Sequence, residues 1–397
     1  MALELSDQTF TEQDDIVPAS GVEQIVNTRI ANTLAGSDII TGIGSDYWPT
    51  YEYGFFNSGT LNTAEGNDVI TGTGWSYGLS NRGTLNMGEG NDAITGSGPF
   101  YLSSSGLDNY GTLNTEEGND TIAGIADVHG INNYATLNTG EGNDIITGTN
   151  RGASYDSAIY NSGSINTNDG NDTIAGISGI LGIFNRGIIN SGNGEDSIIS
   201  QGNLVNLGGV FLGDDNDLIS VDSDYAPSDV IENFNFIGTG DGNDTITSTG
   251  LIYNEGVIET GNGDDSIIVE IDFEGPHGFR SIENYGGAIN MGDGNDSIIA
   301  NDGFKSAPNS SGAWFLGEGE DYIKGYGSGD FYGGNGNDTL ELTSGIYTVG
   351  IWGEGGESPI FTKGTELMIT SEFEKLIAGG TIYDFTSLTA GQIIVVA

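Results

Sequence analysis

The chain has 397 residues, with 57 Asp and Glu against nine Lys and Arg, a formal net charge of -48, 68 Gly and no Cys. That charge excludes partners that need a basic patch, nucleic acid and anionic membrane surfaces among them. The lack of Cys excludes disulfides and thiolate metal sites, and there is no apolar run of the length that spans a membrane.

Residues 1–35 open the chain. The stretch from Met1 to Ile16 is acidic and lacks the apolar core of a Sec-type signal. This segment is expected to form an N-terminal cap. From 36 to 340 the sequence repeats, and a repeat array outranks any estimate of domain number from length. One Asp recurs, at Asp38, Asp68, Asp92, Asp120, Asp144, Asp172, Asp196, Asp217, Asp244, Asp265, Asp296, Asp321 and Asp338. Between Asp68 and Asp196 the spacing is 24, 28, 24, 28 and 24. Two residues after each Asp stands an Ile or Leu, from Ile40 and Ile70 to Ile323 and Leu340. Seven residues before it stands a second apolar column, from Leu61 and Leu85 to Trp314 and Phe331. Eleven residues before it lies a column of Asn, from Asn57 and Asn81 to Asn233 and Asn254. Its parity matches the apolar column, so inward Asn side chains hydrogen-bonded from rung to rung are expected.

Each unit reads as short strand, Gly-rich turn, short strand and variable loop, as in NSGTLNTAEGNDVIT from Asn57 to Thr71. No stretch carries a useful helical period. The fold class is therefore all-β, a parallel β-solenoid of twelve to thirteen rungs, spaced ~4.8 Å apart. The variable loops are placed after Gly72, Gly96, Gly124, Gly148 and Gly176, the longer ones at 96–108 and 148–160. After Leu340 the repeat dissolves, and residues 341–397 are expected to form a β-rich C-terminal cap over the last apolar rung.

The turns carry the chemistry. They read TAEGND, MGEGND, TEEGND, TGEGND, TNDGND, SGNGED, LGDDND, TGDGND, TGNGDD, MGDGND, LGEGED and GGNGND. Glycine permits left-handed backbone that turns carbonyls inward. A carboxylate closes each turn, and calcium favours six to eight oxygen ligands. Stacked like charges also need a counterion. A plainer reading is that Gly-Asn-Asp is a good turn whose Asp caps backbone amides. Glu89, Glu117, Glu141, Asp169, Asp241 and Asp293 form a second acidic row, which serves solubility or further cation binding.

The last turn, Gly333 to Asp338 followed by Thr339 and Leu340, fits the nonapeptide G-G-x-G-x-D-x-U-x in full. The array resembles the repeats-in-toxin (RTX), or haemolysin-type, calcium-binding repeat over about residues 34–340. IENF (231–234) and FEKLIAG (373–379) are similar to such arrays too. The resemblance implies multiple calcium ions held by Asp68, Asp92, Asp120, Asp144, Asp172, Asp196, Asp217, Asp244, Asp265, Asp296, Asp321 and Asp338. It also implies ligation by carbonyls near Gly88, Gly90, Gly140, Gly142, Gly240, Gly242, Gly292, Gly294, Gly334 and Gly336. The chain departs from the pattern in having one such turn per rung, so one ladder is expected. Asp215 replaces the fourth-position Gly before Asp217, and Asp38 lies in AGSD, which weakens both positions.

Other chemistry is poorly served. The two His, His129 and His277, fall in variable loops without a repeated acid partner, so no enzyme is expected. The aromatics Tyr47, Trp48, Tyr51, Tyr53, Phe55, Phe56, Trp75, Tyr77, Phe100 and Tyr101 either cover an edge of the coil or form a glycan-binding platform. Outward Thr, the feature of ice-binding turns, is missing from the third turn position. The ending YDFTSLTAGQIIVVA is similar to an uncleaved type I secretion signal. The expectation is a secreted or cell-surface calcium-binding structural or adhesive protein. The alternatives are a glycan-binding module and a self-assembling, filament-forming matrix protein.

Overall fold

The computed structural model describes residues 2–18, 23–44, 53–98, 104–152, 155–223, 230–271, 280–306, 312–353 and 358–397. Tyr47, Trp48, Tyr51, Phe100, Tyr101 and His277 lie outside them. The chain is an all-β parallel solenoid of about twelve turns. It divides into two compact units, the first Met1–Gly213 with Ser223–Tyr225, the second the remainder.

In the first unit a rung has three strands. One rung comprises Val69–Thr73, Tyr77–Asn81 and Thr84–Asn86, then the turn, and the next begins at Ala93–Ser97. Each strand pairs in parallel with its counterpart one rung away. Ile94 lies between Ile70 and Ile122, Leu107 between Leu79 and Ile131, and Leu85 between Leu61 and Leu113. Three apolar columns thus meet inside, and Ile70, Leu79 and Leu85 are fully buried. Such a side chain contributes about 1.5–3 kcal/mol on burial. The middle column (Phe55, Leu79, Leu107, Ile131, Ile159, Ile183, Leu204) is buried throughout. It stands two residues before each Asn, inside what the sequence pattern assigned to variable loops.

The glycines assigned to loop starts are strand residues. Gly72, Gly96 and Gly124 face inward where two strands of one rung touch. A Cβ on Gly96 would stand 2.1 Å from the Gly106 carbonyl oxygen. The first strand runs on to Ser97 and the second starts at Ser105, so the connection is shorter than the expected 96–108. His129 likewise opens a strand, with Nδ1 3.0 Å from the Ser157 carbonyl.

The inward Asn ladder is present. Nδ2 of each Asn donates to Oδ1 of the next, from Asn57 to Asn81, Asn109, Asn133, Asn161, Asn185 and Asn206. In the second unit the same bonds link Asn233, Asn254 and Asn284. Asn133 also donates to the Ser164 carbonyl at 2.9 Å. Asn133→Ala therefore strands one donor and two acceptors in a dry interior. We expect a loss of about 3–5 kcal/mol in urea denaturation. A loss below ~1 kcal/mol would show that the ladder does not hold the coil.

The repeat extends past both expected boundaries. Ile25–Asn27 and Ile30–Asn32 pair in parallel with strands of the following rung, and Ile16–Val17 pairs with Ile39–Ile40. Short rung strands are thus present within residues 1–35. In the second unit the coil runs from Leu218–Asp222 onward, with Ile246 between Ile219 and Ile267. Trp314 stacks on Phe331 with centroids 4.4 Å apart. Beyond Leu340 the repeat does not simply dissolve. The hairpin Gly345–Trp352 and Ser358–Lys363 intervenes. Glu366–Ser371 and Lys375–Ala378 then add a further parallel rung on Gly329–Gly336 and Thr339–Leu342. Antiparallel strands Thr381–Asp384 and Ile393–Val396 close this end.

Candidate metal centre

Each turn holds left-handed backbone at its second and fourth positions. Gly88, Gly140, Gly240, Gly292 and Gly334 have φ between 96° and 112°, and Gly90, Gly142, Gly242 and Gly294 between 137° and 152°. Gly336 differs, being part of the strand Gly329–Gly336 without positive φ. Ala64, Glu116 and Asn168 take the second position at φ 71°, 69° and 65°. At most fourth positions glycine is also needed for space: a Cβ on Gly118 would stand 1.6 Å from the Gly90 carbonyl oxygen. The fourth-position N–H donates to the third-position carbonyl of the next rung, as from Gly90 to Glu117 at 2.8 Å and from Gly118 to Glu141 at 2.9 Å. Third-position carbonyls are therefore already occupied.

The closing Asp residues are brought into one buried column in each unit. Asp68, Asp92, Asp120, Asp144, Asp172 and Asp196 are at most 2% exposed, as are Asp217, Asp244, Asp265, Asp296, Asp321 and Asp338. Within each unit, Oδ1 of an Asp accepts the backbone N–H of the Asp one rung earlier. Asp92 accepts from Asp68 and Asp120 from Asp92 at 2.7 Å, and Asp144 from Asp120 at 2.8 Å. In the second unit Asp244 accepts from Asp217 and Asp265 from Asp244 at 2.8 Å. One oxygen thus performs the plain capping role.

The other oxygen does not. Oδ2 of Asp38, Asp68, Asp92, Asp120, Asp144 and Asp172 is buried without a hydrogen-bond partner in the protein, and so is Oδ2 of Asp244, Asp265, Asp296, Asp321 and Asp338. Buried polar atoms are rarely left this way, since each costs about 1–3 kcal/mol. Burial pushes the Asp92 carboxyl to about 8, Asp172 and Asp296 to about 7, and Asp68, Asp120, Asp265, Asp321 and Asp338 to about 6. It raises Asp38, Asp144 and Asp244 as well. The Asp38 amide and the nearby Thr63 hydroxyl, whose own proton goes to the Met87 carbonyl, act in the opposite direction at Asp68. Asp92 has Met87 at the corresponding position instead of a hydroxyl, and neighbouring carboxylates Asp120 and Asp68 raise it further.

At the two positions that depart from the turn pattern, Asp215 and Asp38, the backbone arrangement of the ladder is kept. Asp215 adopts φ 85° in place of glycine, and its N–H reaches the Asp241 carbonyl at 2.7 Å. Asp38 is buried and accepts the Asp15 N–H at 2.8 Å. Asp15 therefore starts the first column, a member that sequence reasoning missed. Its signal was Val17 two residues on. At the other end Asp338 N–H donates to Glu374 Oε2 at 2.8 Å. Glu374 closes the second column, with Leu376 two residues on.

Among the described residues no three acidic or imidazole side chains converge on one point. A cation on this column would draw carboxylate oxygens from the ladder and complete its shell with backbone carbonyls and water. The donor set, oxygen alone and formally anionic, suits a hard cation. Outside the column, Glu89, Glu116, Glu117, Glu141 and Asp169 line one open recess in the first unit.

The aromatic alternative fares differently. Phe55 is core, while Tyr53, Phe56 and Tyr77 lie on strands. Tyr53 stacks on Tyr77 at 5.2 Å, and Tyr110 on Tyr134 at 4.5 Å. These ring faces are turned to one another along the coil.

No protein-family model matches the chain, and no curated protein matches it. Among solved structures it is similar to a hyperactive, Ca2+-dependent, β-helical antifreeze protein from an Antarctic bacterium, determined by X-ray crystallography. The identity is 18%, the TM-score 0.40, and the match covers 85% of this chain and 80% of that one. At that level no property of the antifreeze protein carries over. Among the described residues no helix is long and apolar enough to cross a membrane.

Proposed function

We propose that this chain is a calcium-binding β-solenoid of the RTX-like kind, acting outside the cell or at its surface as a structural or adhesive rod rather than as an enzyme. The observation that supports this reading is the column of buried, partnerless Oδ2 atoms. Charges stacked at rung spacing repel by about 3 kcal/mol per neighbouring pair at an effective dielectric near 20. Protonation or a cation must relieve that repulsion. Near neutral pH only a cation serves the whole column. Bound calcium would supply neutralising charge and a partner for Oδ2. The ladder Asp residues would hold it, and the left-handed glycines permit the close rung approach. In a calcium-poor compartment the metal-free column opposes compaction, and where calcium is abundant binding energy becomes folding energy. That asymmetry suits a protein that folds after export, by a type I route in this reading.

Two substitutions at one position separate capping from metal binding. Asp144→Asn keeps an oxygen to accept the Asp120 N–H but removes the charge. It is expected to fold without calcium at least as readily as the parent and to bind fewer calcium ions in equilibrium dialysis. Asp144→Ala loses both roles and is expected to be less stable with or without calcium. Unchanged calcium stoichiometry in Asp144→Asn would show that the ladder does not bind the metal.

A further inference from the structure

In the first unit, the strand following each turn presents a broad outward face. From Ile39–Ile43 to Ser197–Asn206, seven such strands alternate buried and outward residues. They pair in strict register, with Thr71 beside Thr41 and Thr95, and Ala123 beside Thr95 and Thr147. None of the first three outward positions on any of these strands is charged. The chain is 17% charged, so an average surface of this size would carry several charges. Ile39 and Ile145 on this face are 39% and 46% exposed.

Stacking alone does not explain the absence. The turns of the same rungs stack Glu65, Glu89, Glu117, Glu141 and Asp169, one per rung, so this coil tolerates like charges at rung spacing. The third-strand sheet is also uncharged and exposes Ile30 and Ile188 at 67% and 48%, but between them its rungs are tied together by polar side chains. Its outward Asn side chains bond to one another, Asn86 to Asn62 at 2.9 Å and Asn114 to Asn86 at 3.0 Å. The first-strand face carries no Asn at its first three outward positions and offers mainly methyl groups and hydroxyls there.

The geometry points to this face as a docking surface for a second copy of the chain, sheet against sheet. Three observations favour a copy over another partner. At a net charge of -48 two copies repel through their turns, and an uncharged face is where approach costs least. A row of side chains at rung spacing meets a matching row on another copy, and flat sheets stack ~10 Å apart. Seven rungs at ~4.8 Å by five residues at ~3.3 Å give about 500 Å² per copy. Two copies bury about 1,000 Å², the lower bound of a specific but weak interface. The dimer is therefore weak at low ionic strength and tightens as salt screens the acidic edges. This pairing is lateral, unlike end-to-end stacking of rungs.

Sedimentation velocity on the calcium-loaded full chain, at low and high salt, tests the proposal. The parent is expected to dimerise reversibly, more tightly in high salt. Thr95→Glu with Thr147→Glu is expected to weaken dimerisation at least ~10-fold. Thr112→Glu, on the other sheet, is expected to dimerise as the parent does. Far-UV circular dichroism confirms that each variant is folded. Should the double Glu variant fail to fold, Thr95→Glu and Thr95→Lys are used singly, and mixing them is expected to restore pairing. A parent that stays monomeric at every concentration and salt overturns the proposal. Equal weakening by Thr112→Glu, or a monomer that instead sediments with a neutral insoluble solid such as cellulose, overturns it too.

Discussion

Stripped of divalent cations, the protein is expected to melt at a higher temperature at pH 5 than at pH 8. The folded ladder carboxyls are held at about 6 to 8 in Asp68, Asp92, Asp120, Asp172, Asp265, Asp296, Asp321 and Asp338, whereas unfolded Asp titrates near 3.9. Between those values the folded state binds more protons than the unfolded chain. Stability then falls as pH rises through the folded values and is regained on acidification. Each tenfold gain in proton affinity on folding corresponds to about 1.4 kcal/mol, but neighbours share protons and water screens part of the effect. A gain of roughly 1 kcal/mol per rung is a reasonable expectation. Summed over several rungs, that raises the melting temperature by about 10 °C or more. Calcium should reverse the trend, because protons compete with metal for the same oxygens. A metal-free melting temperature that falls from pH 8 to pH 5 would mean that the carboxyls are not buried as described.

The second large effect is expected from Gly118→Ala. The new Cβ would stand 1.6 Å from the Gly90 carbonyl oxygen, at a φ of 153° that L residues rarely adopt. The obstacle is backbone, so no rotamer relieves it. The turn must open, separating the Gly118 N–H from the Glu141 carbonyl and disturbing the Asp120 cap. A loss of at least ~4 kcal/mol is expected, in the range reserved for a named structural fault. Hydrogen exchange should show the amides of Gly90, Gly118 and Gly142 opening first. Gly179→Ala is the control. Nothing lies within 4 Å of its added Cβ, so stability should stay within ~0.5 kcal/mol of the parent. Equal effects from the two substitutions would remove the argument that close rung approach fixes glycine in the turn.

Much of this was legible in the sequence because a solenoid writes its packing as columns. The Asp, the Ile two residues later and the Leu seven residues earlier each occupy one place per rung, so fixed offsets survive variable loops. The third apolar column was equally regular, two residues before each Asn. It escaped notice because Gly72 and Gly96 suggest a loop start when read locally. Only the folded coil shows that they sit where two strands touch and a side chain has no room. Asp15 and Glu374 were missed for another reason. Neither lies in a Gly-rich turn, yet each occupies a ladder position through backbone register. The division of labour within each carboxylate, one oxygen capping and the other without a partner, depends on side-chain orientation and could not be read from spacing.

The most direct test of the account is a calcium titration of the metal-stripped chain at pH 8, followed by far-UV circular dichroism and melting temperature, with bound metal counted at saturation. β signal and melting temperature are expected to rise together and cooperatively, with several ions bound per chain and magnesium a poor substitute. A chelated protein that is already fully folded at pH 8, binds no calcium and melts at the same temperature with or without it would contradict the account.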